Sequence, residues 1–268
     1  MFRDSSFPAR LDASGVAAAP FAGQPLARMR LGVTEADDTW LEGGLVAHGL
    51  HEFYMAGAKE TAALNGFVLL LAALRQHQHG REIIWAREVK ATKQNGHPYG
   101  PGLAELGIDT DRMTLLALPD AKAVLRAALD ATRDAAVSAV LIELGGKQPL
   151  LDLTATRRFA LAAAENDTMA LLSRGTAKPS PSAAHTRWQV AAAPSRALEA
   201  HAPGVPAFAL ELLRQRGGRD GLRLIMEWDR DTASFRIRSD VAGTPPLSRP
   251  HPAVVIGGAG GERRSRAA

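Results

Sequence analysis

The stretch His51 to Arg75, HEFYMAGAKETAALNGFVLLLAALR, has the right position for phosphate chemistry. An apolar-aromatic run, His51 to Tyr54, has β character. Met55 to Glu60 is a small-residue loop, and Thr61 to Leu74 is apolar on almost every face, as a buried helix is. In a nucleotide-binding α/β protein, such a strand–loop–helix unit carries the phosphate loop. That loop needs glycines for close backbone approach, a Lys for the β and γ oxygens, and a Ser or Thr for magnesium. This loop has the location without those groups.

Other candidates are thinner. The chain has no cysteine, which excludes disulfides, Cys-ligated zinc and thiol catalysis. It contains no Gly-x-Ser-x-Gly elbow. His77 and His79, in Gln76-His-Gln-His79, stand two residues apart, point different ways on a helix, and read as a polar helix end. His51 at a strand start reads as a packed histidine. No catalytic residue, metal ligand set or cofactor is expected.

The elements that position this stretch follow in order. Asp37 to Leu41 makes a short helix, and Gly43, Gly44 and Gly49 turn the chain into the first strand. After the central helix, Glu82 to Ala86 is a strand, Arg87 to Gly102 a polar loop, and Gly102 to Leu106 a short helix. Met113 to Leu118 is a fully apolar strand of the parallel kind. A helix starts at Pro119-Asp120, with Ala121, Val124, Leu125, Ala128 and Leu129 on one face. Ala139 to Leu144 is a strand and Gly145 to Lys147 a turn. Thr154 or Thr156 caps a helix through Glu165, and Thr168 to Ser173 is another strand. This alternation predicts an α/β fold with a mainly parallel sheet flanked by helices. Arg174 to His185 is loop. Trp188 to Ala192, Phe208 to Arg214, Leu222 to Trp228 and Ser234 to Arg238 read as antiparallel strands added toward the C-terminus, the last two as a hairpin through Asp229 to Asp231.

The totals suit one globular domain, expected over 29–240, with an N-terminal extension over 1–28 and a disordered basic tail over 241–268. Hydrophobic residues make up 46% and charged residues 22%. Net charge is +4 and the pI about 9.7, mildly basic, with Arg249, Arg263, Arg264 and Arg266 in the last stretch against Glu262. The N-terminus lacks a signal-peptide core, and the longest apolar run, from Ala62 to Leu74, falls short of the ~20 residues of a membrane helix. A cytoplasmic protein without membrane association is expected.

Several segments in this order resemble the RecA-like core, and specifically the ImuA family of SOS mutagenesis proteins. They are LGVTEADDTWLEGGLVAHGLHEFY (Leu31 to Tyr54), YGPGLAELGID (Tyr99 to Asp109), DAKAVLRAALDATRDAAVSAVLIE (Asp120 to Glu143), TRRFALAAAENDTMALLSR (Thr156 to Arg174) and HTRWQVAAAPS (His185 to Ser195). The resemblance implies an accessory role in damage-induced, error-prone translesion DNA synthesis. The implied partners are ImuB and an error-prone polymerase subunit, with contact to RecA, self-association and weak DNA binding as further options.

The same resemblance aligns the phosphate loop with Met55 to Ala62. Its two glycine positions become Met55 and Glu60, its lysine Thr61 and its hydroxyl Ala62, and Glu60 would bring a carboxylate near the phosphates. Glu143 stands where RecA has a metal-binding aspartate; without a phosphate loop it reads as a surface carboxylate. Glu88 is the nearest match to the RecA catalytic glutamate and reads as a solvated loop charge. The loop after the fifth strand matches a DNA-contacting loop, which makes Arg174, Lys178 and Arg187 phosphate-contact candidates, or a mobile solvated loop. The expectation is a non-catalytic adaptor; the rivals are a divergent DNA-dependent ATPase and a DNA-binding module.

Overall fold

The computed structural model describes residues 26–144, 148–175, 178–202 and 204–238. The expected extension over 1–28 lies outside these except for its last three residues. The expected Gly145 to Lys147 turn and the whole of the expected tail over 241–268 also lie outside the described residues.

The strands are β1 (Arg28–Met29), β2 (Leu45–Val46), β3 (Gly49–Met55), β4 (Glu82–Glu88), β5 (Met113–Leu118), β6 (Val137–Glu143), β7 (Met169–Ser173), β8 (Thr186–Ala192), β9 (Ala207–Gln215), β10 (Arg223–Asp229) and β11 (Ser234–Ile237). The α-helices are α1 (Thr61–His79), α2 (Val89–Asn95), α3 (Gly100–Glu105), α4 (Ala121–Thr132) and α5 (Leu153–Asn166). One nine-stranded sheet runs β11-β10-β9-β8-β3-β7-β6-β4-β5. From β8 to β5 every neighbouring pair is parallel, and from β8 to β11 every pair is antiparallel. β8 was expected among the antiparallel strands. It is the seam instead: parallel to β3 through His51↔Thr186 and antiparallel to β9.

Period-two alternation explains the layers. Phe53, Trp85, Leu141 and Leu171 face one side of the sheet, where α1 packs with Trp188, Phe208 and Trp228. Leu50, Ala86, Ile142 and Leu172 face the other, against Val124 and Ala128 of α4 and Phe159 and Ala163 of α5. α1 is apolar nearly all round because the sheet lies beneath it and the N-terminal segment also packs there. Leu64 through Gln76 contains one continuous buried run from Phe67. Gly80 ends the helix in the left-handed conformation, φ 62°, and returns its N–H to Gln76 O. The N-terminal segment is fixed by Asp37, which is fully buried and accepts the N–H groups of Leu31, Gly32 and Val33 at 2.9, 3.1 and 3.1 Å. It sits in a π-helical turn, Glu35–Trp40.

Three local readings are corrected. The polar loop from Arg87 holds a helix, α2, because Ala91 and Thr92 turn inward on one face while Lys90 and Lys93 stay out. Asp152, not Thr154 or Thr156, caps α5: its carboxylate accepts the Ala155 N–H at 2.7 Å. Thr156 is buried one turn in, where its hydroxyl donates back to the backbone and accepts the Ala183 N–H. The final hairpin turns over Arg230 to Ala233, between the paired Asp229 and Ser234.

His51 is buried as expected and fully partnered. The Trp188 indole donates to the Thr186 hydroxyl at 2.8 Å, Thr186 pairs with His51 Nδ1 at 2.7 Å, and Nε2 meets Val46 O at 2.9 Å. That chain is satisfied by the Nε2-protonated neutral ring. Burial pushes the His51 imidazole down to about 4 and that of its neighbour His185 to about 3. Unfolded, each ring takes a proton below about 6.5, whereas the folded rings refuse one until much lower. Stability therefore falls as the pH drops from about 6.5 toward 4, by on the order of 2–3 kcal/mol for His51 by pH 4.5. Urea unfolding near pH 7 and near pH 4.5 measures this, and His51→Gln should be weaker at neutral pH yet less sensitive to acid.

Candidate functional site

The C-terminal ends of the parallel strands gather the loops where α/β proteins hold ligands. β3 ends at Met55, the chain loops from Ala56 to Glu60, and α1 begins at Thr61. The loop is pinned by its backbone: the Met55 N–H donates to Gly175 O at 2.9 Å and the Ala56 N–H to Val190 O at 3.0 Å. Thr61 turns its hydroxyl onto Met55 Sδ at 3.2 Å. Glu60, next to Gly57 of the loop, bonds to the end of β8. Its Oε2 accepts the Ala192 N–H at 2.8 Å. Ala62 is exposed and supplies no hydroxyl. Lys59 is exposed beside a cleft of about 440 Å³.

Glu143, at the end of β6, is buried, not a surface carboxylate. Arg87 approaches it side-on, with Nε 3.0 Å from Oε2 and Nη2 3.2 Å from Oε1. The Trp85 indole donates to Oε2 at 3.1 Å, while Asn65 and Asn95 amides donate to Oε1 at 2.9 and 3.0 Å. A carboxylate has about four lone-pair sites, and four donors of its own chain meet this one, three at Oε1 and one at Oε2. A metal-holding carboxylate keeps an open lone pair, and its nearest charge is the metal, not a guanidinium. Arg87 also lies over the Trp85 ring, 5.1 Å from its centroid, and donates to Gly96 O at 3.0 Å. It thereby ties β4 and β6 to the α2–α3 connection. Glu88 is nearly buried at the start of α2, and its Oε1 accepts from the Gln148 amide at 3.3 Å, so it is not a solvated charge.

A second buried carboxylate, Glu52, lies in the middle of β3. It takes Arg187 Nε at 3.0 Å, the Ser182 hydroxyl at 2.9 Å, the Tyr54 hydroxyl at 3.1 Å and Arg174 Nη1 at 3.5 Å. Burial, reinforced by the Glu52 charge, pushes the Tyr54 phenol far up. Arg174 and Arg187 are themselves buried, and Arg187 also donates to Ser180 O and Ser182. These two cations neutralise Glu52 in the interior, which withdraws them as phosphate contacts. Of the three expected contacts, Lys178 alone is exposed.

Arg87, Asn65, Asn95 and Glu52 were not singled out from sequence. The signal for Glu52 and Arg87 was present: a charge inside an apolar strand run needs a buried counter-charge. His77 and His79 part as expected, His77 toward Gly107 O at 2.7 Å and His79 toward Arg75.

No family model matches the chain, and no curated protein does. Among solved structures it is similar to the RadB recombinase, with a TM-score of 0.50 and 13% identity, over 78% of this chain and 98% of that one. That likeness shows a RecA-like fold. Among the described residues, no helix is long and apolar enough to cross a membrane.

Glu52→Ala would strand two buried guanidinium groups and should cost about 3–5 kcal/mol in urea unfolding. Lys178→Ala should stay within about 0.5 kcal/mol.

Proposed function

We propose that this chain is a RecA-like accessory protein of DNA repair that works as an adaptor without nucleotide hydrolysis. Its finer placement in this reading is the ImuA type, in SOS-induced error-prone translesion synthesis. ImuB and an error-prone polymerase subunit are its partners, and RecA is a further one. The observation that carries the adaptor reading is the saturation of Glu143. Where a nucleotide enzyme keeps a carboxylate open to metal, this chain closes it with Arg87, Trp85, Asn65 and Asn95. The loop opposite offers Met55, Glu60, Thr61 and Ala62 in place of two glycines, a lysine and a hydroxyl. Reopening Glu143 would leave Arg87 buried without a counter-charge, so the closed state is held by several kcal/mol, on the order of 3–5. The segments quoted from Leu31 to Ser195 support the family placement. RecA-like subunits present broad faces for assembly, and those faces do not depend on the phosphate loop.

Two measurements test this. ATP with magnesium at millimolar concentration should leave the Tm unchanged, because a ligand that binds only the folded state raises it. Hydrolysis above background that disappears in Glu143→Ala would instead establish the divergent ATPase. Tagged protein from damage-treated cells should bring down ImuB, and recovery of neither ImuB nor RecA would remove the adaptor reading.

A further inference from the structure

The chain contains three asparagines, and two of them, Asn65 and Asn95, are each followed by glycine. From different helices, both donate their amides to one atom, Glu143 Oε1, at 2.9 and 3.0 Å. An Asn-Gly pair is the sequence most open to spontaneous loss of the side-chain amide. The glycine has no Cβ to keep its backbone nitrogen away from the asparagine Cγ, and its backbone reaches conformations closed to other residues. The attack also requires that nitrogen to leave its own hydrogen bond. Local opening of the fold therefore decides which of the two pairs reacts.

The two pairs are held differently. Asn65 and Gly66 lie well inside the 19-residue α1, which continues to His79. The Asn65 amide is gripped at both ends, Nδ2 on Glu143 and Oδ1 under the Ser173 hydroxyl at 3.4 Å. An added Cβ on Gly66 would meet the Phe208 ring at 3.7 Å. Asn95 is the exposed last residue of α2, a helix of 7 residues. Gly96 follows with a left-handed φ of 77°, and a Cβ added there would meet nothing within 4 Å. Among the described residues, Glu143 is the one hydrogen-bond partner of the Asn95 side chain. Two bonds keep Gly96 N from Asn95 Cγ: the Gly96 N–H on Thr92 O at 2.9 Å, and Asn95 Nδ2 on Glu143. Both belong to the end of a short helix, where opening costs little.

We propose that Asn95 is a site of spontaneous deamidation whose conversion breaks its bond to Glu143 in one direction only. When the last turn of α2 opens, Gly96 N attacks Asn95 Cγ. The N–Cγ bond forms and the Cγ–Nδ2 bond breaks. Nδ2 leaves as ammonia, carrying the proton of the Gly96 N–H. Water then opens the cyclic imide at either carbonyl and leaves aspartate or isoaspartate. Water is the sole co-reactant, and nothing is oxidised or reduced. The product has a carboxylate where Asn95 had a donor. It has no proton to give Glu143, and a second negative charge beside a buried acid is repelled. Asn65, bonded to the same oxygen, stays intact because α1 does not open there. The inference goes beyond the adaptor reading, since it involves no protein partner and no nucleotide.

Peptide mass spectrometry of the purified full chain, aged in warm, mildly alkaline buffer with and without urea, tests it. In urea Asn65 and Asn95 should convert at similar rates. In the native chain Asn95 should convert roughly a hundredfold faster than Asn65 or more, because element ends open at almost no cost while a buried helix opens with the whole fold. Asn95→Asp should melt about 3–6 °C below the wild type, as the loss of a hydrogen bond to a charged group does in a domain of this size. Asn95→Ala, which loses the bond without adding a charge, should fall less. Native chain with Asn95 intact, after a time that converts it in urea, overturns the proposal. Equal native rates at Asn65 and Asn95 overturn it too, since they report global unfolding. Asn95→Asp melting with the wild type overturns the consequence for Glu143. Recovery of ImuB by fresh protein is a separate outcome, so the two readings fail separately.

Discussion

The contact between Arg87 and Glu143 is the constraint on which the C-terminal edge of the sheet depends. A charge removed from water must find an opposite charge and enough hydrogen bonds, or it costs several kcal/mol. Glu143 is at the end of β6 and Arg87 at the end of the neighbouring β4, in register as Arg87↔Glu143. Their pairing recruits Asn65 from α1, Trp85 from β4 and Asn95 from α2. Through Gly96, the guanidinium also fixes how the chain leaves α2. The helix that carries Lys90 and Lys93 and the turn that presents Tyr99 are therefore placed by an ion pair beneath them. Side chains of four neighbouring elements thus close together on one carboxylate at this edge.

Glu52 repeats the logic on the other side of β7. Arg174 reaches it from the end of β7, Arg187 from β8, and Ser182 from the segment between. Arg174 and Arg187, which flank the chain between β7 and β8, thus meet on one carboxylate in β3. Two buried acids are thus each neutralised across strands along one edge. The seam strand β8 benefits directly, since Thr186 beside Arg187 also closes the hydrogen-bonded chain through His51.

Much of the frame was legible because its signals are local. Short apolar runs marked the strands, and the spacing of Ala121, Val124, Leu125, Ala128 and Leu129 marked α4. α2 was hidden because Gly96 and Pro98 punctuate its end and its inward face is only Ala91 and Thr92. The phosphate-loop place was legible, being strand, loop and helix in sequence. The fate of its charges was not. Arg174 lies 122 residues from Glu52, Arg187 lies 135, and Arg87 lies 56 from Glu143. A basic residue in a polar stretch looks the same to a reader whether it faces DNA or a buried acid. Only the sheet order, which puts β7 and β8 on either side of β3, decides between them.

That order has a cost during synthesis. β3 is the second neighbour of nothing until β7 and β8 exist, for His51 pairs with Leu171 and Thr186. At translation rates of about 5–20 residues per second, the 120 residues separating His51 from Leu171 take roughly 6–24 s to emerge. Throughout that interval β3 lacks both of its strand neighbours in the sheet. A ribosome that stalls before β7 releases a sheet without its centre.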